Sequence, residues 1–345
     1  MAIKEALGVL VEGGTLSEDD AAAAMKDIVE GQATPAQIGA FATALRMKGE
    51  TVEEIAGLAR VMRDYATRVT IEGDTVDLVG TGGDGSNIFN ISTVSSMVVA
   101  SAGGRVAKHG NAGITNSCGS ADILKALGIA IDLNPTTVAA CVNQVGFGFM
   151  FAPAFHPATR HAAGPRREIG IRTVFNILGP LTNPAHATHL LVGAAIGPLA
   201  PKLAMVLNRM GVKHALVVHG AGGLDELSIT GPSQVYEVED GNMHSYEVSP
   251  DKFGLPLSAL KTIQGGTVET NLALAEQALS GADNPAQHAV LLNAGAGLYT
   301  AGMADSIADG IALARDVIAT RQARHKVDEV REVSQQLSRS QPPAA

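Results

Sequence analysis

Residues 76–104 read VDLVGTGGDGSNIFNISTVSSMVVASAGG and combine a strand, a glycine-rich loop and a helix. The apolar, β-branched run before the loop is typical of a buried strand, and the run after Thr93 has a helical pattern. Glycines let the backbone approach a ligand with several N–H groups in one concavity, and this loop has four of them: Gly80, Gly82, Gly83 and Gly85. A helix that begins near Ser92 or Thr93 adds a positive N-terminus. The stretch therefore predicts an α/β unit with a cradle for phosphate or pyrophosphate. The alternative is a plain glycine-rich turn in which Ser92 only caps the helix.

Strands and helices continue to alternate downstream. HLLVGAAI at 189–196 and HALVVHG at 214–220 are nearly continuous apolar runs next to helical segments. Such runs suit parallel strands that are covered on both faces. SQVYEVEDGNMHSYEVSP at 233–250 predicts a hairpin that turns at Asp240-Gly241. We expect an α/β fold with a mostly parallel central sheet flanked by helices.

The first 70 residues consist of short amphipathic helical patterns with short joints. Three of these patterns follow a hydroxyl residue that is a candidate N-cap: Ser17, Thr34 and Thr51. We predict three units: a small all-helical N-terminal domain at 1–72 that is completed by helices around 155–185, a larger α/β domain at 73–338, and a disordered tail at 339–345.

The composition excludes several classes of partner. Lys and Arg number 25 against 34 Asp and Glu, which gives a net charge of −9, and no basic run is present. We therefore expect no nucleic-acid partner. No uncharged apolar run reaches roughly 18 residues and no apolar signal region is evident, so we expect neither a membrane partner nor a leader. Cys118 and Cys141 are too few for a disulfide framework, which favours free thiols in a reducing cytoplasm.

A second strand–loop–helix unit contains the loop KHGNAGITNSCGSAD, residues 108–122. Lys108 is the only Lys or Arg in this loop and can meet a phosphate as a point charge. The loop also offers uncharged donors: Asn111, Thr115, Asn116 and Ser120. Two such units suggest a polyanion that is held at several points. Taken alone, Lys108 can instead be a solvated surface lysine, His109 a structural histidine and Cys118 a small packing residue.

The segment VVHGAGGLDELSI, residues 217–229, places two adjacent carboxylates after an apolar strand. Asp225 and Glu226 are of the type that holds Mg²⁺ through oxygen atoms and water. The alternative is an exposed acidic turn, or a helix cap at Asp225. With two phosphate-type loops in the same chain, Mg²⁺ becomes the natural bridge between a pyrophosphate and these carboxylates.

The segment GPRREIGIRTVFNILGPLTNP, residues 164–184, contains the only adjacent arginines of the chain, Arg166 and Arg167. An arginine here can pair with a substrate carboxylate through two parallel hydrogen bonds. An ordinary surface pairing is the alternative for an isolated pair of arginines.

Taken together, the motifs resemble those of anthranilate phosphoribosyltransferases. The matching segments occur in the family order and cover nearly the whole chain: GTGGDGSNIFNIST, KHGN, GSADILKALG, GFGFMFAPAFHPA, RREIGIRTVFNILGPLTNPA and GGLDELS. The resemblance implies a helical domain, an α/β domain and a homodimer joined through the helical parts. It also implies transfer of a phosphoribosyl group from phosphoribosyl pyrophosphate to the amine of anthranilate.

The resemblance assigns roles by motif position. For phosphoribosyl pyrophosphate it implies Gly80, Gly83, Asp84, Asn90, Ser92, Thr93, Lys108, Asn111, Thr115 and Ser120. For anthranilate it implies Gly80, His109, Asn111, Ala152 and Arg166. For Mg²⁺ it implies Ser92, Asp225 and Glu226.

Three positions depart from the family pattern. The family usually has Thr at the position of Ile88, Arg at that of Ala112, and a second small hydroxyl residue at that of Asn116. These changes affect the donor side and are interpreted first as drift within the family and second as a changed acceptor. Three other functions stay open: transfer to another aromatic acceptor, a reaction like that of pyrimidine nucleoside phosphorylases, which share the broad fold, and a non-catalytic nucleic-acid-binding relative.

Overall fold

The computed structural model describes residues 1–113 and 118–341. Its N-terminal part is a group of four helices: α1 (Ile3–Val11), α2 (Glu18–Val29), α3 (Pro35–Lys48) and α4 (Val52–Asp64). The predicted caps are confirmed, because the side chains of Ser17, Thr34 and Thr51 each accept a hydrogen bond from a backbone N–H in the first turn. These bonds satisfy amide groups that a helix start leaves without a partner.

The α/β part is built on one seven-stranded sheet with the order β3-β2-β1-β4-β5-β6-β7. Its strands are β1 (Val76–Gly80), β2 (Val106–Gly110), β3 (Phe147–Phe151), β4 (His189–Gly193), β5 (His214–His219), β6 (Ser233–Glu239) and β7 (Asn242–Val248). Strands β1 to β5 pair in parallel. Strands β6 and β7 form the predicted hairpin, with positive φ at Asp240 and Gly241. The expected mostly parallel sheet is confirmed.

Helices cover both faces of this sheet. They are α5 (Ile91–Ser101), α6 (Ser120–Ala126), α7 (Pro135–Val145), α8 (Ala152–Phe155), α9 (Arg160–Ile169), α10 (Val174–Ile177), α11 (Ala200–Arg209), α12 (Val268–Ala278), α13 (Pro285–Thr300), α14 (Ile307–Ala319) and α15 (Gln322–Ser340). The most central of them is α13, which is buried over almost its whole length and packs against α5 and α14.

Two large hydrophobic cores lie on opposite faces of the sheet. Because side chains alternate along a strand, Leu191 belongs to the core under α5 and α13, whereas Leu190 and Val192 belong to the other. That second core continues through α11 into the helices α1–α4, and Ala162 of α9 and Val174 of α10 also belong to it. The helical part therefore shares its core with one face of the sheet.

Lys108 and His109 lie within strand β2, where they pair with Phe149 and Met150 of β3, and not in the loop where we expected them. The prediction ended the strand where the apolar pattern ends. Strand β3 continues to pair with these two polar residues, and the Asp77 carboxylate accepts a hydrogen bond from the His109 N–H.

Two helix boundaries also differ from the prediction. Helix α5 begins at Ile91, slightly before the expected Ser92 or Thr93. Helix α15 runs through Arg339 and Ser340, which we had placed in a disordered tail. The Gln341 side chain fastens this end, because it donates to the Asp132 carbonyl and accepts from the Asn134 N–H. Residues 342–345 lie outside the described range.

Candidate active site

The candidate residues gather at the carboxyl edge of the parallel strands. The glycine-rich loop follows β1, Asn111 follows β2, Ala152 follows β3, and the segment with Asp225 and Glu226 follows β5. The chain leaves β1 toward β2 on one side, while β4 lies on its other side. This reversal between β1 and β4 creates a crevice in which α/β proteins bind ligands.

Asp225 sits directly over this crevice. Gly80 pairs with Gly193 across β1 and β4, and a Cβ on either glycine would overlap Asp225. The Gly82 N–H donates to Asp225 Oδ2 at 2.6 Å. Glycine is therefore needed at Gly80 partly because Asp225 comes so close, and not only because a ligand has to approach the backbone.

Glu226 and Lys108 lie against the start of helix α5. The Ser92 N–H donates to Glu226 Oε1 at 3.1 Å. Lys108 Nζ donates to the Leu78 carbonyl at 2.6 Å and lies 3.4 Å from Ser92 Oγ. The Lys108 side chain is only 1% exposed, so its interpretation as a solvated surface lysine is wrong. Burial lowers the pKa of Lys108, and the negative charges of Asp77 and Glu226 oppose this shift.

The start of helix α5 is not an open anion cradle, contrary to our expectation of free N–H groups there. The Ile91 N–H bonds to Phe89, the Thr93 and Val94 N–H groups bond to Asn90, and Glu226 takes that of Ser92. The glycine loop is the remaining source of backbone donors. The Thr93 hydroxyl is buried and has no hydrogen-bond partner among the described residues.

Asp225 and Glu226, with Asp84 close enough to interact with both, form an acidic cluster that fits a divalent cation. Burial, followed by the charge of Asp84, raises the pKa of Asp225 to about 6. Burial and the charge of Asp225 also raise the pKa of Glu226. Within the described residues no group of three or more His, Cys, Asp or Glu could hold a metal. Mg²⁺ commonly uses one or two carboxylates and takes its other ligands from substrate phosphates and water, which suits this pair.

The second loop is fastened at both ends. Asp122 Oδ2 accepts hydrogen bonds from the N–H groups of Gly113 and Gly119, both at 2.8 Å. The Asn111 side chain accepts from the Ala112 N–H at 2.8 Å. Ser120 lies beside Gly110, since a Cβ on this glycine would be 3.0 Å from Ser120 Cβ. Thr115 and Asn116 lie outside the described residues.

The two loops are joined through Asn90. Its Nδ2 donates to the Cys118 carbonyl at 3.2 Å, and Cys118 Sγ lies 3.4 Å from its Oδ1. Burial raises the pKa of the Cys118 thiol to about 11, which agrees with a packing residue and not a nucleophile. Asn90 occupies the N-cap position of α5 without capping it, because its side chain is used between the loops.

A pair of buried histidines lies beside the second loop. The rings of His109 and His156 are 4.9 Å apart between centroids, and His109 Nδ1 is 3.3 Å from the Gly179 carbonyl. Burial lowers the pKa of His109 to about 3 and that of His156 to about 4, so both rings are neutral at physiological pH. The Nε2 atom of each ring has no partner within the described chain. Ala152 begins α8 directly after Phe151, which pairs with Gly110.

Arg166 lies near the end of α9, with its guanidinium 5.5 Å from the centroid of the Phe175 ring. Burial lowers the pKa of this guanidinium. In residues 1–113 and 118–341 it forms no ion pair, so it keeps its donors for an anion. It also makes no hydrogen bond to His109 or Asn111 there. Among the described residues, hydrogen bonds thus link the two expected metal carboxylates to the glycine loop and to the start of α5, whereas Arg166 has no such bond to His109 or Asn111.

Sequence reasoning missed Asp77 and Asn183. Asp77 is fully buried, and its Oδ2 accepts from Asn183 Nδ2 at 2.8 Å. Asn183 Nδ2 also donates to the Ala107 carbonyl at 2.8 Å, which pins the LGPLTN segment to β1 and β2. The available signal was a single carboxylate inside an otherwise apolar strand, since such a group needs a partner.

Sequence reasoning also missed Arg172, which lies in the segment RREIGIRTVFNILGPLTNPA but has no predicted role. Its Nη1 donates to the Gly83 carbonyl in the glycine loop. The charges of Asp225 and Asp84 act on its guanidinium and oppose the lowering of its pKa by burial.

Comparison with known proteins identifies the family. A model of the glycosyl transferase family a/b domain matches residues 72–324, and one of the helical bundle domain of the same family matches residues 4–66. An anthranilate phosphoribosyltransferase from Dehalococcoides mccartyi is 51% identical over 338 residues, which are 97% of this chain and 99% of that protein. This chain belongs to the anthranilate phosphoribosyltransferase family.

Solved structures of anthranilate phosphoribosyltransferases have the same fold. The crystal structure from Thermus thermophilus is 40% identical, covers 96% of this chain and 99% of its own, and has a TM-score of 0.90. The enzyme from Saccharomyces cerevisiae in complex with PRPP and Mg is 27% identical, with a TM-score of 0.87 and coverage of 97% and 98%.

Two of the departures from the anthranilate phosphoribosyltransferase pattern have apolar surroundings. Ile88 and Ala112 are partly buried against the core under α5 and α13. Ile88 also forms an isolated antiparallel bridge with Gln264. Both side chains therefore contribute to packing at the rim of the crevice. In the described part of the chain no helix is long and apolar enough to cross a membrane.

Proposed function

We propose that this protein transfers the phosphoribosyl group of 5-phosphoribosyl 1-pyrophosphate to the amine of anthranilate. The products are N-(5-phosphoribosyl)anthranilate and pyrophosphate, and the reaction belongs to tryptophan biosynthesis. One observation carries the proposal: Asp225 and Glu226 are held against the glycine loop and the start of α5, beside the buried Lys108. The relatives named above carry the same activity in their names.

The donor would lie over the crevice between β1 and β4. Its phosphates and ribose would meet Gly80, Gly83, Asp84, Asn90, Ser92, Thr93, Lys108, Asn111, Thr115 and Ser120. Mg²⁺ would be held by Ser92, Asp225 and Glu226 and would supply positive charge to the pyrophosphate. The positions of the two carboxylates, against the glycine loop and the Ser92 N–H, support this metal assignment.

Anthranilate would enter on the side of the two histidines, against Gly80, His109, Asn111, Ala152 and Arg166. The guanidinium of Arg166 forms no ion pair within the described residues and suits the substrate carboxylate, because an arginine can bind a carboxylate with two parallel hydrogen bonds. The neutral rings of His109 and His156 add no positive charge that would compete with Arg166. An aromatic amine is already nucleophilic, so the pocket has to orient it and does not need a strong base.

The main barrier is the negative charge that develops on the departing pyrophosphate. Lys108 lies next to Ser92 and is held by the Leu78 carbonyl, so its charge is oriented before the donor binds. A charge that is already in place stabilises the transition state without reorganisation. Positioning of the two substrates supplies the remaining acceleration, and closure of the helical part over the sheet would exclude water.

The assembly and location are part of the same proposal. The protein would act in the cytoplasm as a homodimer joined through a helical domain of residues 1–72 and the helices around 155–185. It would have neither a nucleic-acid nor a membrane partner. The negative net charge supports the absence of a nucleic-acid partner.

The decisive test follows anthranilate fluorescence with the purified protein, phosphoribosyl pyrophosphate and Mg²⁺. The fluorescence should fall only when all three are present, and a chelator should stop the decrease. If the folded protein binds the donor but leaves anthranilate unchanged, the acceptor is a different aromatic amine. That result would turn Ala112 and Asn116 from drift within the family into marks of a changed acceptor.

A further inference from the structure

Arg172 spans the gap between the segment before α10 and the glycine loop. It follows Gly170, which ends α9 with a positive φ, and it precedes the first residue of α10 by two positions. Its Nη1 donates to the Gly83 carbonyl. A Cβ on Gly83 would lie 2.7 Å from Nη1 and 3.0 Å from Cζ. The guanidinium therefore packs closely against the loop at Gly83, whose positive φ of 71° also favours glycine.

The second terminal nitrogen of this guanidinium makes no contact of this kind within the described part of the chain. Arg172 Nη2 is buried and has no hydrogen-bond partner among the described residues. A buried donor of a charged group without an acceptor is strongly unfavourable, so this nitrogen points to an acceptor that a ligand supplies. Asp84 and Asp225 are close enough for their charges to act on Arg172. Yet Arg172 forms an ion pair with neither of them within residues 1–113 and 118–341.

We propose that Arg172 binds the pyrophosphate group of the donor. One nitrogen of its planar fork holds the Gly83 carbonyl, and the other donates to a phosphate oxygen. This inference rests on the proposed function, because it takes phosphoribosyl pyrophosphate as the donor. The geometry of arginine suits the double role, since its donors are fixed relative to each other and one contact orients the next.

The contacts of Arg172 place it on the donor side. Gly83, Asp84 and Asp225 all belong to the glycine loop or to the carboxylate pair, whereas Arg166 lies over Phe175. Lys108 reaches the same region from strand β2. The pyrophosphate would thus meet one cation from the sheet and a second from the segment before α10. Because Arg172 also binds the Gly83 carbonyl, it would connect the glycine loop directly to the bound pyrophosphate.

The test measures binding of inorganic pyrophosphate with Mg²⁺ by calorimetry, separately from binding of anthranilate. Arg172→Gln should weaken pyrophosphate binding about tenfold or more, as expected for loss of a charge-assisted hydrogen bond. Arg172→Lys should recover part of this loss. The control Arg167→Gln removes an equal charge from an exposed neighbour, and its affinity for pyrophosphate should stay within about twofold of wild type. The affinity for anthranilate should stay within the same range in all variants.

The dependence of binding on salt separates a direct contact from a purely structural role. If the charge meets the ligand, Arg172→Gln should bind pyrophosphate with a weaker salt dependence than wild type, because one screened interaction is gone. Wild-type affinity in Arg172→Gln overturns the inference. So does a loss that Lys does not relieve and that leaves the salt dependence unchanged, since Arg172 would then only shape the loop. A wild type that binds pyrophosphate normally but never consumes anthranilate overturns the proposed function and leaves this inference standing.

Discussion

The Lys108 side chain is 1% exposed, and its ammonium group donates to a backbone carbonyl and lies beside Ser92 Oγ. Burial of a charge is unfavourable for stability, and Lys108 forms no ion pair within 4 Å in the described part of the chain. Its pKa is lowered by burial, which means that the fold disfavours the charged form. The residue is therefore better explained by an anion that binds next to it than by stability.

Lys108→Met should separate these two roles. Methionine fills a similar volume without charge, so we expect the melting temperature to change little while turnover falls by about 100-fold or more. Lys125→Met, an exposed lysine in the last turn of α6, is the matched control and should affect neither. A large loss of stability with unchanged turnover would instead assign Lys108 to the fold, through its bond to the Leu78 carbonyl.

Neutralising either carboxylate, Asp225 or Glu226, should make the protein more stable and less active. Asp225→Asn and Glu226→Gln keep an oxygen for the Gly82 and Ser92 N–H groups but remove the charge. Because burial raises both pKa values, the charged forms destabilise the folded protein. Both variants should therefore melt at a higher temperature than wild type at pH 7.5, while turnover falls and the Mg²⁺ dependence changes.

The pH dependence of this stabilisation follows from the same shift. The unfavourable charge of Asp225 is fully present above its folded pKa of about 6 and is relieved as the pH falls through that value. The difference in melting temperature between Asp225→Asn and wild type should therefore shrink from pH 7.5 to pH 5. Asp305→Asn, at an exposed site, should show no such trend. A difference that grows on acidification would contradict the raised pKa.

At the scale of elements, the site depends on how closely β1, β4 and the loop after β5 approach one another. Gly80 and Gly193 are paired at the ends of β1 and β4. Each lacks the Cβ that would overlap Asp225. The two glycines leave room for Asp225 at the crevice. The ends of β1 and β4 and the segment with Asp225 and Glu226 therefore pack together as one unit.

Gly193→Ala should disturb this unit without removing any polar group. The new methyl group would collide with the Asp225 backbone, and the loop has to shift. We expect lower affinity for pyrophosphate with Mg²⁺, measured by calorimetry, together with a lower melting temperature. Gly8→Ala in α1 has open space around its Cβ and should be neutral or stabilising. Wild-type affinity in Gly193→Ala would show that Asp225 does not need this approach.

At the scale of the whole molecule, the helical part and the sheet are joined by a continuous core. Leu203 of α11 is fully buried in the core that contains both Leu58 of α4 and Val217 of β5. Helix α11 packs against α4 on one side and β5 on the other. Unfolding of the helical part would therefore expose one face of the sheet as well.

We expect a single calorimetric transition, which Leu203→Ala lowers as a whole. Removal of a fully buried leucine side chain should reduce the free energy of unfolding by roughly 3 kcal/mol. Met205→Ala on the same helix, at a side chain that is 46% exposed, should have a much smaller effect. Two separate transitions, of which Leu203→Ala shifts only one, would show that the two parts unfold independently.

The sequence by itself determined the helix starts, the strand–loop–helix units and the hairpin. These features depend on residues that are near one another in the chain. Thr51 finds its capping partner three positions away, and Asp240-Gly241 supplies the backbone angles of its own turn. Local periodicity and turn chemistry therefore sufficed for the fold class and for most of the candidate site.

Only the tertiary structure decided the burial of Lys108, the engagement of the α5 amide groups, and the roles of Arg172 and Asn183. These features depend on partners far away along the chain: 134 positions separate Ser92 from Glu226, and 89 separate Arg172 from Gly83. A sequence pattern carries no distance between such residues. The pleat and register of the parallel sheet set those distances, because they bring the carboxyl ends of β1, β2, β4 and β5 to one edge.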